Sequence, residues 1–304
     1  MFDSPLSASA YDVLGVAPDA ADDELRKAYR LRLRQTHPDT GGDAAQFVQV
    51  QRAWELVGTV EARAAYDGGH GFGATPSVST WKPPSRPADT RPRARSFGQP
   101  GGWRRERYLD LIREWVGRGT EVADPYDPAL VRAAPRELKR MLADALAEEA
   151  TARIVGELGM GYTVWHDVAA DARDPSLKVD HIVLGPSGLY ALLSEDLGGP
   201  VRLRRGELVG DGVEGSPIGD LVAGARAIAR AARVRFSGGI VVLPDDDLAT
   251  AIEEIGRVRG LAVAVVARST LSTVLRRGLT GARDIGGNEL FDVRTRLQQT
   301  VRFV

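Results

Sequence analysis

Thr36-His37-Pro38-Asp39-Thr40-Gly41-Gly42 lies between two segments with helical apolar spacing, and its reading decides the fold of the first fifth of the chain. Upstream, Leu25, Ala28, Tyr29 and Leu33 share one helical face. Asp22 is the expected cap of that segment, and the acidic run Asp19 to Glu24 suits its positive end. Downstream, Phe47, Val50, Trp54 and Val57 repeat the spacing, with Asp43 placed to open the second helix. Pro38 biases His37 away from helical geometry and Gly41-Gly42 permits a sharp reversal. An antiparallel helical hairpin with an exposed polar tip follows. Arg26, Arg30 and Arg34 fall four apart on one exposed stripe, with Lys27 and Arg32 beside them.

Outward from the tip, Tyr11-Asp12-Val13-Leu14-Gly15-Val16 fits a short first helix and Leu25-Arg26-Lys27-Ala28-Tyr29-Arg30 a second. Ala53-Trp54-Glu55-Leu56 fits a third and Arg63-Ala64-Ala65-Tyr66-Asp67 a fourth. In this register the segment resembles the J domain of DnaJ-type co-chaperones, an all-α unit expected over residues 9–68. The resemblance implies that His37, Pro38 and Asp39, together with Arg26, Lys27, Arg30 and Arg34, engage a DnaK-type ATPase. The tip then performs no chemistry of its own. Two positions depart from the family pattern: Arg32 stands at a usual core leucine and Thr36 at a usual aromatic. Leu33 is expected to supply the displaced apolar contact.

The 304 residues, 43% of them hydrophobic, are enough for more than one core. A formal net charge of -1 argues against a generally basic, nucleic-acid-coating protein. The absence of cysteine excludes disulfides, and four histidines (37, 70, 166, 181) leave no zinc-ligand pattern. Cofactors and metals are therefore not expected, nor is the cysteine-rich form of DnaJ. No stretch approaches the roughly 20 apolar residues of a membrane span, and a cytosolic location is expected. Residues 69–102 are rich in Pro, Gly and Arg without apolar periodicity, which predicts a disordered linker.

From Trp103 to Val304 the pattern predicts an α/β domain with a mixed central sheet. Helices are expected at Trp103 to Val116, Pro135 to Leu158, Asp220 to Val234, Ala249 to Arg259, Leu271 to Arg277 and Asn288 to Arg302. Strands are expected at Tyr162 to Trp165, Lys178 to Leu184, Leu189 to Ser194, Gly239 to Leu243 and Leu261 to Val266, with a hairpin over Val201 to Val209. Trp165-His166-Asp167 and Val179-Asp180-His181-Ile182-Val183-Leu184-Gly185-Pro186-Ser187-Gly188-Leu189-Tyr190 resemble the nuclease-related NERD domain, a restriction-endonuclease-like fold. That resemblance implies a metal-binding Asp on one strand and Glu-x-Lys on the next. Asp180 fills the first position, but Leu193 stands at the glutamate and Glu195 at the lysine. The helix glutamate is missing near Thr151, with Glu148 and Glu149 close by. Asp180 and Glu195 are thus the vestige of a nuclease site, and the domain is expected to be catalytically inactive. His166 and His181 read as structural, and Asp245-Asp246-Asp247 as a helix cap. The resulting expectation is a co-chaperone whose α/β domain targets a client. The alternatives are a nucleic-acid-binding adaptor and a residual metal-dependent nuclease.

Overall fold

The computed structural model describes residues 4–6, 8–38, 42–70, 92–117, 120, 122–171 and 174–304. In the helical part, α1 (Ala10–Leu14) is opened by a capping box between Ser9 and Asp12 and closed by Gly15 in the left-handed region. α2 (Asp22–Thr36) and α3 (Ala44–Val57) form the hairpin, and α4 (Val60–His70) lies across its base. Tyr11, Leu14, Leu25, Val50, Ala53, Val57 and Tyr66 form the core, with Leu33 packed at its margin. Tyr29 stacks on Trp54 at 4.4 Å, which pins α2 against α3. Arg32 is exposed, with its guanidinium lying against Gly15, and Leu33 takes the apolar contact as expected.

One guanidinium closes this part. Arg63 of α4 donates to the Pro18 and Ala20 carbonyls at 2.9 and 2.7 Å, to Asp22 at 2.8 Å and to the Tyr11 hydroxyl at 3.1 Å. Tyr11 in turn donates to Asp67 at 2.6 Å, and burial pushes its hydroxyl up to about 12, so it remains a donor. The cap of α2 differs from expectation. Ala21 holds that position without a side-chain bond, because Asp22 lies one residue inside the helix and is recruited by Arg63. The fourth helix also runs through Gly68 and Gly69 to His70, past the expected start of the linker.

The second part is built on a mixed sheet. Its strands are β1 (Arg95–Phe97), β2 (Thr163–Asp171), β3 (Asp174–Gly185), β4 (Gly188–Ser194), β7 (Gly238–Leu243), β8 (Ile252–Val258) and β9 (Leu261–Ala267). A separate small hairpin joins β5 (Arg202–Arg204) to β6 (Glu207–Val209). The large sheet has the order β1-β2-β3-β4-β7-β9-β8 among the described residues. β2, β3 and β4 form an antiparallel meander, β4, β7 and β9 run parallel, and β8 closes the edge antiparallel to β9. β1 pairs parallel with β2 at the opposite edge. The helices are α5 (Gly102–Val116), α6 (Pro128–Ala133), α7 (Arg136–Gly156), α8 (Pro217–Ala232), α9 (Leu271–Arg277) and α10 (Gly287–Thr300). Leu221 and Ile228 of α8 and Leu297 of α10 cover one face; Val155 of α7 and Leu271 and Leu275 of α9 cover the other. The central strands β4, β7 and β9 are buried along their whole length, which accounts for their unbroken apolar runs.

Three expectations are corrected. Residues 249–259 do not form a helix: Ile252 to Val258 pair with β9 as the edge strand. Arg259 and Gly260, at φ 50° and 89°, make the two-residue reversal that joins Val258 to Leu261. Pairing at the sheet edge outweighs the helical preference of Glu253 and Glu254, and a register shift between Glu254 and Gly256 blunts that edge. β1 also falls inside the stretch expected to be linker through 102, because Ala94 and Arg95 donate to Gly156 and Tyr162 carbonyls; residues 71–91 of that stretch lie outside the described residues. Finally, Asp127 caps α6 with Pro128 in its first turn, where only a turn was expected. A direct check of the helical closure is Arg63→Ala. It is expected to lower the stability of the helical part by about 2 kcal/mol in denaturant titration, against less than about 0.5 kcal/mol for the exposed Arg26→Ala.

Candidate functional site

The tip of the helical hairpin is held from both sides. His37 is extended (φ -64°, ψ 127°), as a residue before proline must be, and its carbonyl accepts from the Gly42 N–H at 3.0 Å. Its ring meets Phe47 edge-on at 5.0 Å. Thr36 is buried and returns its hydroxyl to the Arg32 carbonyl at 2.9 Å, so the absent aromatic is replaced by a locally satisfied polar group. Pro38 is exposed; Asp39 lies outside the described residues. Arg26, Lys27, Arg30 and Arg34 all stand exposed on α2, opposite the buried Leu25. Arg26 faces Asp23 at 3.8 Å, a pair too open to neutralise the stripe.

A second cluster lies in the α/β part, where α7 crosses β2 and β3. Asp180 is fully buried; one carboxylate oxygen accepts from the Ser194 N–H at 2.7 Å and the other from Lys178 Nζ at 2.7 Å. Lys178 Nζ also donates to Glu148 at 2.7 Å and to Asp167 at 2.6 Å. Arg104 of α5 binds Glu148 at 2.6 Å and Asp144 at 2.7 Å. Glu195, just past β4, comes within 3.5 Å of Arg140 and 3.8 Å of Arg104, and its Oε2 makes no hydrogen bond. Asp180 and Glu195 both border this cluster and line the same cavity. Leu193 is a buried apolar residue. Glu148 brings a further carboxylate from α7, and Lys178 comes from the strand that carries Asp180. The two-residue spacing of Lys178 and Asp180 on a strand, and the four-residue spacing of Asp144 and Glu148 on a helix, could have revealed both.

Five buried carboxyls (Asp144, Glu148, Asp167, Asp180, Glu195) share three cations (Arg104, Arg140, Lys178), and the imbalance is expressed in protonation. Burial and the neighbouring acids push Glu148 and Glu195 up to about 8 and Asp144 up to about 6. Burial acts on Asp180 in the same direction, but the Lys178 ammonium and Arg104 override it and hold this carboxyl below the usual range. Burial would discharge Lys178, yet Asp180 and Glu148 keep it protonated well above the ordinary lysine value. The geometry does not present an open metal site: the carboxylates converge on an ammonium, and no group of three or more acidic, His or Cys ligands is placed around a vacant point among the described residues.

His166 and His181 face each other across β2 and β3, with Nδ1 atoms 2.7 Å apart, and Ser96 of β1 meets His166 Nε2 at 2.7 Å. Burial lowers both rings, His166 to about 4, so neither carries charge at neutral pH. This row of polar side chains ties three adjacent strands together. Asp245, Asp246 and Asp247 form a single 3-10 turn instead of capping a helix.

Residues 9–67 match the DnaJ domain family model. Among curated proteins, a DnaJ protein homolog of Cucumis sativus is 42% identical over 57 residues, 19% of this chain and 14% of the relative. Chaperone protein DnaJ of Pediococcus pentosaceus is 44% identical over 77 residues, 21% of each chain. That of Bordetella petrii is 46% identical over 61 residues, 19% of this chain and 16% of the relative. The helical part is therefore a J domain, and the chain spans only about a fifth or less of the length of these relatives.

The protonated carboxyls carry a pH signature. A carboxyl raised from 4.5 to about 8 favours the folded state below pH 4.5 relative to its ionised form, and that advantage is lost as pH climbs toward 8. Glu195→Gln, neutral at every pH, is expected to flatten the decline. Calorimetric melting should show the variant gaining on wild type between pH 5.5 and 8.5.

Proposed function

We propose that this protein is a J-domain co-chaperone that stimulates ATP hydrolysis by a DnaK-type chaperone, and that its α/β part is a non-catalytic module that brings the complex to a client or location. One observation carries the first half: a His37-Pro38 turn at the tip of a rigid hairpin, inside residues that match the DnaJ domain. The tip is polar and reachable, while Phe47, Gly42 and the α2–α3 core hold its shape. Arg26, Lys27, Arg30 and Arg34 add a positive face that speeds encounter with an acidic partner and weakens that encounter as salt rises. The tip then acts by differential binding, favouring the hydrolysis-competent state of the ATPase.

For the α/β part, a cavity of about 480 Å³ supports a binding role. It opens between α7, α8 and the β3–β4 strands, and Arg104, Arg140, Asp180 and Glu195 line it. Its charged walls favour a polar occupant over an aliphatic one. Nuclease chemistry finds less support, because the ammonium of Lys178 stands at the focus of the acids.

The test is steady-state ATP turnover by a DnaK-type chaperone with saturating co-chaperone. Wild type is expected to raise turnover severalfold. His37→Gln should lose at least tenfold of that stimulation with unchanged helix content by circular dichroism. Arg26→Ala/Arg30→Ala should raise the half-maximal concentration and reduce its salt dependence. Equal stimulation by wild type and His37→Gln would remove the assignment.

A further inference from the structure

We infer that Lys178 is an internal cation occupying a latent divalent-metal site, so that the native chain holds no metal there and removal of the ammonium opens the site. The Lys178 side chain is 2% exposed, and its three N–H donors are consumed by Glu148, Asp167 and Asp180 at 2.7, 2.6 and 2.7 Å. These carboxylates come from three separate elements, α7, β2 and β3. Convergence of that kind is costly without a cation at its centre, since each acid repels the others in a water-poor interior. The side chain provides one positive charge at the end of a four-carbon stem, tethered two residues from Asp180, and thus at high local concentration.

The fit to a hard cation follows from the radius and the surroundings. Oxygens at 2.6–2.7 Å from Nζ are a few tenths of an ångström outside the roughly 2.3–2.6 Å shell of calcium, and farther outside the roughly 2.0–2.1 Å shell of magnesium. A modest contraction would close the larger shell. The acids are themselves positioned from behind. On the oxygen turned away from Lys178, Glu148 accepts from the Gly101 N–H, Asp167 from the Trp103 N–H and Asp180 from the Ser194 N–H, while Arg104 shares the Glu148 oxygen that faces the ammonium. Such outer bonds orient metal-binding carboxylates in general. Glu195, buried beside the same cavity, retains an oxygen without a hydrogen-bond partner. The cavity of about 480 Å³ reaches both Lys178 and Asp180, which gives an ion a route in.

Lys178 is absent from the sequence pattern that singled out Asp180 and Glu195, and its role follows only from the three-dimensional convergence. The inference does not rest on the J domain: it concerns a different part of the chain, and ATPase stimulation could fail without touching it.

The experiment is Mn²⁺ titration of the full chain followed by electron paramagnetic resonance, with thermal melting in parallel. Wild type is expected to leave Mn²⁺ free, with an unchanged melting temperature. Lys178→Ala should bind one Mn²⁺ at least tenfold more tightly than wild type, be stabilised by it, and release it to Ca²⁺. Lys178→Ala/Asp180→Asn should lose that binding. If Lys178→Ala is unfolded without metal, Mn²⁺ should restore the fold; failure to restore it overturns the inference. One Mn²⁺ bound to wild type and lost in Asp180→Asn, or no gain in Lys178→Ala, also overturns it.

Discussion

The charge balance around Lys178 is the constraint on which the α/β part depends. Three carboxylates from a helix and two strands meet one ammonium among buried side chains at the inner end of the cavity. Taking these groups out of water costs several kcal/mol per ion, and only close, complete pairing offsets that cost. The pairing is complete on the ammonium side, where each N–H finds an oxygen. It is looser on the acid side, where Glu195 Oε2 meets Arg140 only at 3.5 Å without a hydrogen bond and burial raises its proton-binding tendency to about 8. The crossing of α7 over β2 and β3 is thus fixed by chemistry as well as by apolar packing. Arg104 extends the arrangement to α5 and Arg140 to the cavity mouth beside Glu214.

The J domain solves a different problem with a similar device. Its core is small, with few large side chains, and short helices contribute little by themselves. Arg63 compensates by gathering two loop carbonyls, a carboxylate and a phenol around one guanidinium. His37 is braced by Phe47 and by the Gly42 bond to its carbonyl, so its placement is defined while the neighbouring Pro38 stays exposed. Affinity for a partner benefits from such preorganisation, since less ordering remains to be done on binding.

Much of this was legible in the chain. The J domain could be read because its information is local: helical spacing, a proline that ends a helix and glycines that reverse the chain all act within a few residues. The buried strands were equally clear, since β-branched runs such as Gly239 to Leu243 have few other uses. Ile252 to Val258 was misread for the complementary reason. Glu253 and Glu254 favour a helix locally, and only the partner strand and the Arg259-Gly260 reversal decide otherwise. The cluster was half legible. Asp180, Glu195, the motif that holds Asp167 and the nearness of Glu148 to the helix position are legible in the sequence, while the part played by Lys178 is not, because nothing local says that α7 places Glu148 over that lysine.

The sequence by itself determined an N-terminal J domain with a His37-Pro38-Asp39 tip, a basic α2 face and a following α/β domain, because spacing, turn residues and charge sign are properties of neighbours along the chain. The tertiary structure alone decided that β1 and β8 complete the sheet edges and that a lysine, not an open space, stands among the acids. Those outcomes depend on groups tens of residues apart meeting in a medium where every unpaired charge is penalised, and that penalty is set by the fold.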